Sequence, residues 1–322
     1  MVGSSDPDIA LSVVAPVLAE EETVPELVRR IVSVANGMGV PFEVILVDDG
    51  SPDGTWDAIC EAAENDPRVK GVALSRNFGQ HHAISAGIDA ARGARIVVMD
   101  GDLQDEPEVI PQLWTRADEG YDVVFVKRTS RPISWRYRAS QRAFYGLLSW
   151  LSGEHYRPEV ANFSLITSHV AAAFRRLPER ARFYGGSINW LGFRHGYVTA
   201  PHAARHGGKA SYSLRSRFRL ASTIILSYSE RPLRLAIWLG AVVSSLAFLL
   251  GILVVIGRIA GVVAITGWAS LMVAMLFMAG VILIVLGIIG VYLGRVFAEV
   301  QGRPVYVTRA TVGDVGDATR GA

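Results

Sequence analysis

The sequence predicts an α/β domain on a mostly parallel sheet, followed by interfacial amphipathic helices and two membrane-spanning helices. Three observations carry this. Short apolar runs alternate with helical patterns of 10 to 15 residues, the signature of parallel strands covered on both faces. Three of those runs end in polar clusters, at Pro16 to Glu22, Asp48-Asp49 and Asp100-Gly101-Asp102. Finally, no charged residue occurs from Leu235 to Gly257 or from Ile259 to Gly294, and each stretch exceeds the roughly 20 residues that span a bilayer core.

In chain order, Leu11 to Ala15 reads as the first strand, ended by Pro16. Thr23, three residues before Glu26, predicts a capping box opening a helix that runs to about Asn36. Phe42 to Val47 is the second strand, followed by Asp48-Asp49-Gly50-Ser51-Pro52-Asp53-Gly54-Thr55 and a helix to about Glu64. A strand at Val69 to Leu74 leads through Ser75-Arg76-Asn77-Phe78-Gly79-Gln80 into a helix ending near Ala91. Ile96 to Met99 is the fourth strand, and Pro107 opens the next helix, to Glu119. Asp122 to Val126 and Asn162 to Thr167 read as strands, with Ser168 capping a short helix. The segment after about Thr308 reads as disordered.

In a parallel sheet the carboxyl ends of the strands lie along one edge, where ligands of open α/β sheets bind. The three polar clusters therefore converge. Asp100 and Asp102, with the amide of Gln104, form a hard-oxygen set suited to Mg²⁺ or Mn²⁺ shared with a diphosphate. Gly101 lets the backbone approach a ligand closely. Asp48 or Asp49 is placed to hydrogen-bond a base or ribose. No G-x-G-x-x-G follows the first strand and no G-x-x-x-x-G-K-[ST] occurs, which argues against dinucleotide and P-loop chemistry. His195, His202 and His206 have no metal-ligand spacing.

The net charge of +2 is uninformative, but its distribution is not. Val123 to Gly153 holds six Lys or Arg and no acid, and Ala181 to Ser229 holds seven and no acid. The adjacent membrane helices favour anionic lipid over nucleic acid as the partner of these stretches. Trp135 to Leu151 and Leu214 to Tyr228 mix arginines with aromatic and aliphatic residues, as helices lying in the membrane interface do. Arg231, Arg234, Arg295, Arg303 and Arg309 flank the two spans, and the loop between the spans holds a single basic residue. The expectation is that both chain ends are cytoplasmic. Asp6 and Asp8 precede the first apolar run, unlike the basic leader of a signal peptide. Cys60 is the only cysteine, so no intrachain disulfide forms. Gly290 and Gly294 have a helix-pairing spacing, a hint of a homo-oligomer.

With these residues in hand, the chain resembles the family 2 glycosyltransferases, and within them the polyprenyl-phosphate glycosyltransferases. Val14 to Glu20 resembles the first nucleotide loop of that family. Val47 to Thr55 and Ser75 to Gln80 match closely, and Asp100 to Gln104 occupies the place of the metal motif. Tyr292-Leu293-Gly294-Arg295 after the spans resembles the bacterial members. There are departures: Ala19 stands where Asn is common, Asn162 where Asp is frequent, and Ser211 where Lys is usual, with Lys209 a substitute.

The resemblance implies a GT-A-like catalytic domain over 1–212, a juxtamembrane helix over 213–233, spans at about 235–257 and 268–293 within 234–294, and a tail over 295–322. It implies inverting transfer of a sugar from a nucleotide sugar, preferably a UDP-sugar, to a polyprenyl phosphate at the cytoplasmic face of the plasma membrane. Asp102 and Gln104, supported by Asp100, would hold Mg²⁺ or Mn²⁺. Pro16, Val17, Glu20, Asp48, Asp49, Asn77, Asp100 and Gly101 would bind the nucleotide, and Arg128, Arg205 and Lys209 the acceptor phosphate. A processive polysaccharide synthase would want more membrane helices and a Gln-x-x-Arg-Trp motif, which is missing. A non-catalytic lipid-binding scaffold would not require four acids at strand ends.

Overall fold

The computed structural model describes residues 9–128, 160–178, 183–200, 231–260 and 267–315. They belong to two compact units. One holds the described residues up to Arg128, those from Val160 to Ala200 and those from Arg303 onward; the other holds two long helices.

The first unit is built on an eight-stranded sheet. Its strands are β1 (Leu11–Val17), β2 (Phe42–Asp48), β3 (Val69–Leu74), β4 (Arg95–Val98), β5 (Val123–Arg128), β6 (Val160–Thr167), β7 (His195–Ala200) and β8 (Thr308–Val312). Their spatial order is β7-β5-β6-β4-β1-β2-β3-β8. The pairs β1·β2, β1·β4, β2·β3 and β5·β7 are parallel. Strand β6 is antiparallel to both β4 and β5, and β8 is antiparallel to β3, so the sheet is mostly parallel. Every residue of β1, β2 and β3 is buried, which is why these strands read as nearly unbroken apolar runs. The helices α1 (Val24–Met38), α2 (Thr55–Asn65) and α4 (Ile110–Asp118) pack on one face. On the other lie α3 (Gln80–Ala90), α5 (Ser168–Arg175) and α6 (Tyr184–Trp190).

Several local expectations are corrected. Strand β1 continues through Pro16 to Val17. The Val14 carbonyl accepts from Met99 on the β4 side, and the Val17 carbonyl accepts from Asp49 on the β2 side. Backbone alternation therefore turns Pro16 toward β4, where pairing has already ended at Val98, and no ladder bond is lost. The capping box does not form: Thr23 is helical at φ −89° and its side chain caps nothing, while Glu26 pairs with Arg29 at 2.6 Å. Helix α1 runs on to Met38, and Gly39 ends it in the left-handed region at φ 66°. At α5 the cap is Thr167 rather than Ser168, its side chain accepting from Val170.

The segment after Thr308, read as disordered, begins as strand β8, and residues 316–322 lie outside the described residues. Its residues alternate between half-buried and exposed on the edge of β3, and its approach is anchored by Tyr306, 2% exposed, whose hydroxyl donates to Asp89 at 2.9 Å. At the amino end of the strands, Glu43 is buried, accepting from Ser12 Oγ at 2.6 Å, the Arg92 amide at 2.7 Å and Lys70 Nζ at 2.6 Å. That network ties β1, β2 and β3 together, far from the edge where the acids gather.

The second unit contains α7 (Arg231–Ile259) and α8 (Trp268–Val300). The stretch Phe277–Val300 is long and apolar enough to cross a membrane, with mean hydropathy 2.5 and none of it buried. A shorter apolar run, Gly240–Leu250, lies in α7. The interfacial helices expected at 135–151 and 214–228 lie outside the described residues.

Candidate active site

The parallel core places the ends of β1, β2, β3 and β4 on one edge. Because β6 is antiparallel to both β4 and β5, the end of β5 at Arg128 lies on the same edge. The loops leaving β1 and β2 are laced together. The Ala19 amide donates to Ser51 Oγ at 3.0 Å, the Glu20 amide to Thr55 Oγ1 at 2.9 Å, and the Gly54 amide to Glu21 Oε2 at 3.1 Å. Ala19 adopts φ 55°, a conformation rare outside glycine, and Ser51 helps hold it there.

Asp48 and Asp49, expected to meet a base or ribose, are both buried. Asp49 accepts from the amides of Phe78 at 2.8 Å and Gly79 at 2.9 Å, so its carboxylate braces the loop after β3. Burial raises its pKa above the ordinary value, and those two amide bonds pull against the rise. Asp48 Oδ1 accepts from the Ser51 amide at 2.8 Å. Its Oδ2 has no hydrogen-bond partner among the described residues and stands 3.7 Å from the guanidinium of Arg309. Gly50, at φ 72°, lies against the Arg76–Asn77 peptide: a Cβ there would come within 2.4 Å of Arg76 carbon and 2.6 Å of Asn77 nitrogen. Asn77 is thereby held beside the β2 loop.

The turn after β4 is equally constrained. The Asp100 amide donates to Asp105 Oδ2 at 3.0 Å, and Gln80 Nε2 donates to Asp100 Oδ1 at 2.6 Å. Leu103 takes φ 59°, which folds Gln104 back on Asp102. The Gln104 amide and Nε2 donate to the two Asp102 oxygens at 3.1 and 2.5 Å. Gly101 closes the arrangement: a Cβ would fall 2.5 Å from Val17 Cγ1 and 2.7 Å from the Pro16 carbonyl. Only glycine lets the β4 turn meet the end of β1.

The structure thus brings together Pro16, Val17, Asp48, Asp49, Asn77, Asp100, Gly101, Asp102 and Gln104, with Glu20 on the adjoining loop. Arg205 and Lys209 lie outside the described residues, as does the side chain of Arg128. Gln80 and Asp105, which brace Asp100, were missed as site residues; the signal was present in Gln80 opening α3 and in a third acid three places after Asp102. The donors on the turn are carboxylate and amide oxygens, which fits a hard cation. Among the described residues no three acids, histidines or cysteines form a cage. A divalent ion here would therefore share its coordination with water and ligand phosphates, as Mg²⁺ sites commonly do.

Next to this loop, His81 is a pH-sensitive element of the fold. Its ring meets Phe183 edge-on at 4.6 Å, and burial, assisted by His82, pushes its pKa from 6.5 down to about 4. The unfolded chain protonates this imidazole near 6.5 while the folded chain keeps it neutral. Its contribution is therefore intact above pH 6.5 and drains away as pH falls toward 4, up to ~3 kcal/mol. Thermal melts across that window should show the loss, and His81→Phe should flatten it. An unchanged pH slope in the variant would exclude His81 as the source.

The mostly parallel α/β sheet, with its acids gathered at one edge, is a GT-A-like domain. Residues 12–182, just over half of the chain, match the model described as glycosyl transferase family 2, and the chain belongs to that family. It is 34% identical to a prophage bactoprenol glucosyl transferase homolog of Escherichia coli, over 93% of this chain and 98% of that one. It is 33% identical to the undecaprenyl-phosphate 4-deoxy-4-formamido-L-arabinose transferase of an Enterobacter strain, over 94% and 93%. Among solved structures it resembles glucosyl-3-phosphoglycerate synthase of Mycobacterium tuberculosis in complex with Mn²⁺ and UDP-glucose. That match has a TM-score of 0.50 at 20% identity, covering 68% of this chain and 77% of that one.

Proposed function

We propose that this glycosyltransferase moves a sugar, with inversion, from a nucleotide sugar to a polyprenyl phosphate at the cytoplasmic face of the plasma membrane. The observation that carries the reading is the Asp100–Gln104 turn locked by Gly101 against Pro16 and Val17, beside the braced Asp48–Asp49 loop. The two relatives named for transfer to bactoprenol and undecaprenyl phosphate, similar over nearly their whole lengths, support the acceptor class. UDP is the preferred nucleotide, and the Mn²⁺ and UDP-glucose of the structural neighbour agree with it.

The loops after β1, β2 and β3, with Pro16, Val17, Glu20 and Asn77, hold the nucleoside. Asp48 and Asp49 act on it through the loops they brace. Asp102 and Gln104 hold Mg²⁺ or Mn²⁺, and Asp100 supports them. The chemistry such an ion supplies is neutralisation of the departing diphosphate. The acceptor phosphate, with a second pKa near ~6, is largely ionised at neutral pH, so no strong base is required. Arg128, Arg205 and Lys209 orient it, arginine through its forked donors. Attack on the anomeric carbon from the face opposite the leaving diphosphate inverts that carbon. Helices α7 and α8 are the two spans, both ends cytoplasmic. Gly290 and Gly294 face open space, as a seam between copies would need.

The test is transfer from a panel of UDP-, GDP- and dTDP-sugars to a short-chain polyprenyl phosphate by the full-length protein in detergent. A single polyprenyl-phosphate sugar product is expected. Processive elongation, or no lipid product from any donor, would overturn the reading.

A further inference from the structure

The register of β8 against β3 holds an irregularity at the edge of the site. Ala310 pairs with Ala73 and Thr308 with Leu74, so Arg309 between them is the unpaired residue of a bulge. Bulges re-aim side chains out of the ladder, and often do so beside functional sites. Here the guanidinium of Arg309 comes 3.7 Å from Asp48 Oδ2. The two partners are unlike: Asp48 is 0% exposed, whereas the Arg309 side chain is 52% exposed. A carboxylate buried this completely needs a compensating charge. Among the described residues Arg309 is the cation within ion-pair distance. Asp48 Oδ2 is itself closed off from solvent, so a ligand reaching the end of β2 meets the exposed face of Arg309 rather than the acid behind it.

We propose that Arg309 is a donor-binding residue: Asp48 anchors its guanidinium, whose outward face takes the nucleobase. This rests on reading the strand-end site as a nucleotide site. The chemistry favours a base edge that presents carbonyl oxygens, because guanidinium offers only N–H donors, and its plane can also stack on the ring. Strand β8 is held in place independently of Arg309. Tyr306 donates to Asp89, the Ser75 amide donates to the Val307 carbonyl at 2.8 Å, and Arg92 pairs with Asp314 at 2.8 Å. The strand that follows α8 in sequence thus completes the donor pocket.

The test combines calorimetric binding of UDP with Mn²⁺ and steady-state transfer kinetics on the full-length protein. Arg309→Ala should weaken UDP binding and raise the donor KM about tenfold or more, leaving kcat and the acceptor KM within about twofold. Arg309→Lys should recover part of the loss, since charge returns without the planar fork. Val312→Ala is the control for the strand itself. Val312 lies against Gly71, away from Asp48, and its truncation should lower the melting temperature with the donor KM unchanged. UDP binding by Arg309→Ala equal to wild type would overturn the proposal and leave the nucleotide site standing. An equal rise in donor KM from Val312→Ala would also overturn it, because then only the strand matters. If the wild-type protein bound no nucleoside diphosphate, the nucleotide site and this proposal would fall together.

Discussion

Asp102→Ala is expected to lower sugar transfer by about 10²–10³ while leaving the protein folded. The size follows from removing a preorganised charge at the point where the leaving diphosphate develops its own, typically ~2.7–4 kcal/mol of barrier. Preservation of the fold follows from geometry. Asp102 lies outside the buried core, on a turn where its carboxylate accepts from the amide and Nε2 of Gln104, whereas Asp100 is braced from α3 and by Asp105. The melting temperature should therefore stay near wild type. Donor binding should fall too, because in the proposed site the diphosphate would lose the ion that Asp102 and Gln104 would hold. EDTA should reproduce the loss in the wild-type protein, and Mn²⁺ or Mg²⁺ should reverse it. Near-normal turnover in EDTA would remove the metal assignment, and a collapsed melting transition in Asp102→Ala would remove the claim that the residue is not structural.

The order of strands and helices from Leu11 to Val126 was legible because each strand of the parallel core is buried on both faces. Burial on both faces leaves a contiguous apolar run, as in Val44 to Val47, that needs no partner to be recognised. The convergence of Asp48, Asp49, Asp100 and Asp102 was legible for a related reason, since a parallel sheet puts every strand end on one edge. What was not legible depended on partners distant in sequence. Strand β8 is five residues long and half-exposed, and only the vacant edge of β3 makes it a strand. Arg309 was therefore taken for a basic residue flanking a membrane span, and its place beside Asp48 was invisible. The insertion of β6 between β4 and β5 leaves no local mark either. At Thr23 the local signal was present but lost to a competitor, because the Glu20 carbonyl takes the Thr23 and Val24 amides at 3.0 Å. The depth of Asp48 and Asp49 was the remaining gap: an acid at a strand end reads as a ligand contact, and nothing local shows that loop amides bind Asp49 and one oxygen of Asp48.

Arg205→Ala is expected to impair transfer to polyprenyl phosphate by about 10–100-fold while leaving nucleotide-sugar binding nearly unchanged. A hydrogen bond to a charged group contributes about 1.5–3 kcal/mol, which converts to that range. Arg205 lies outside the described residues, and the argument for it comes from chain order and charge. Lys127 to Trp150 begins in the last two residues of β5, on the edge where the acids gather, and Arg205 to Arg219 leads in sequence toward α7. Both stretches are free of acids and mix arginines with aromatic or aliphatic residues, as a membrane interface demands. Each basic residue near an anionic surface contributes about 1 kcal/mol of attraction, so several together hold a domain at headgroup height. A polyprenyl phosphate presents its reactive group at that height. Residues that meet it are therefore expected in stretches of this basic and apolar composition, and Arg205 begins one of them. Calorimetry with the nucleotide sugar, run beside transfer to a short-chain polyprenyl phosphate, separates the two roles. Asp102→Ala should damage both readouts and Arg205→Ala only the second. Intact lipid transfer in Arg205→Ala, or a loss explained wholly by weaker donor binding, would assign the acceptor phosphate to another residue.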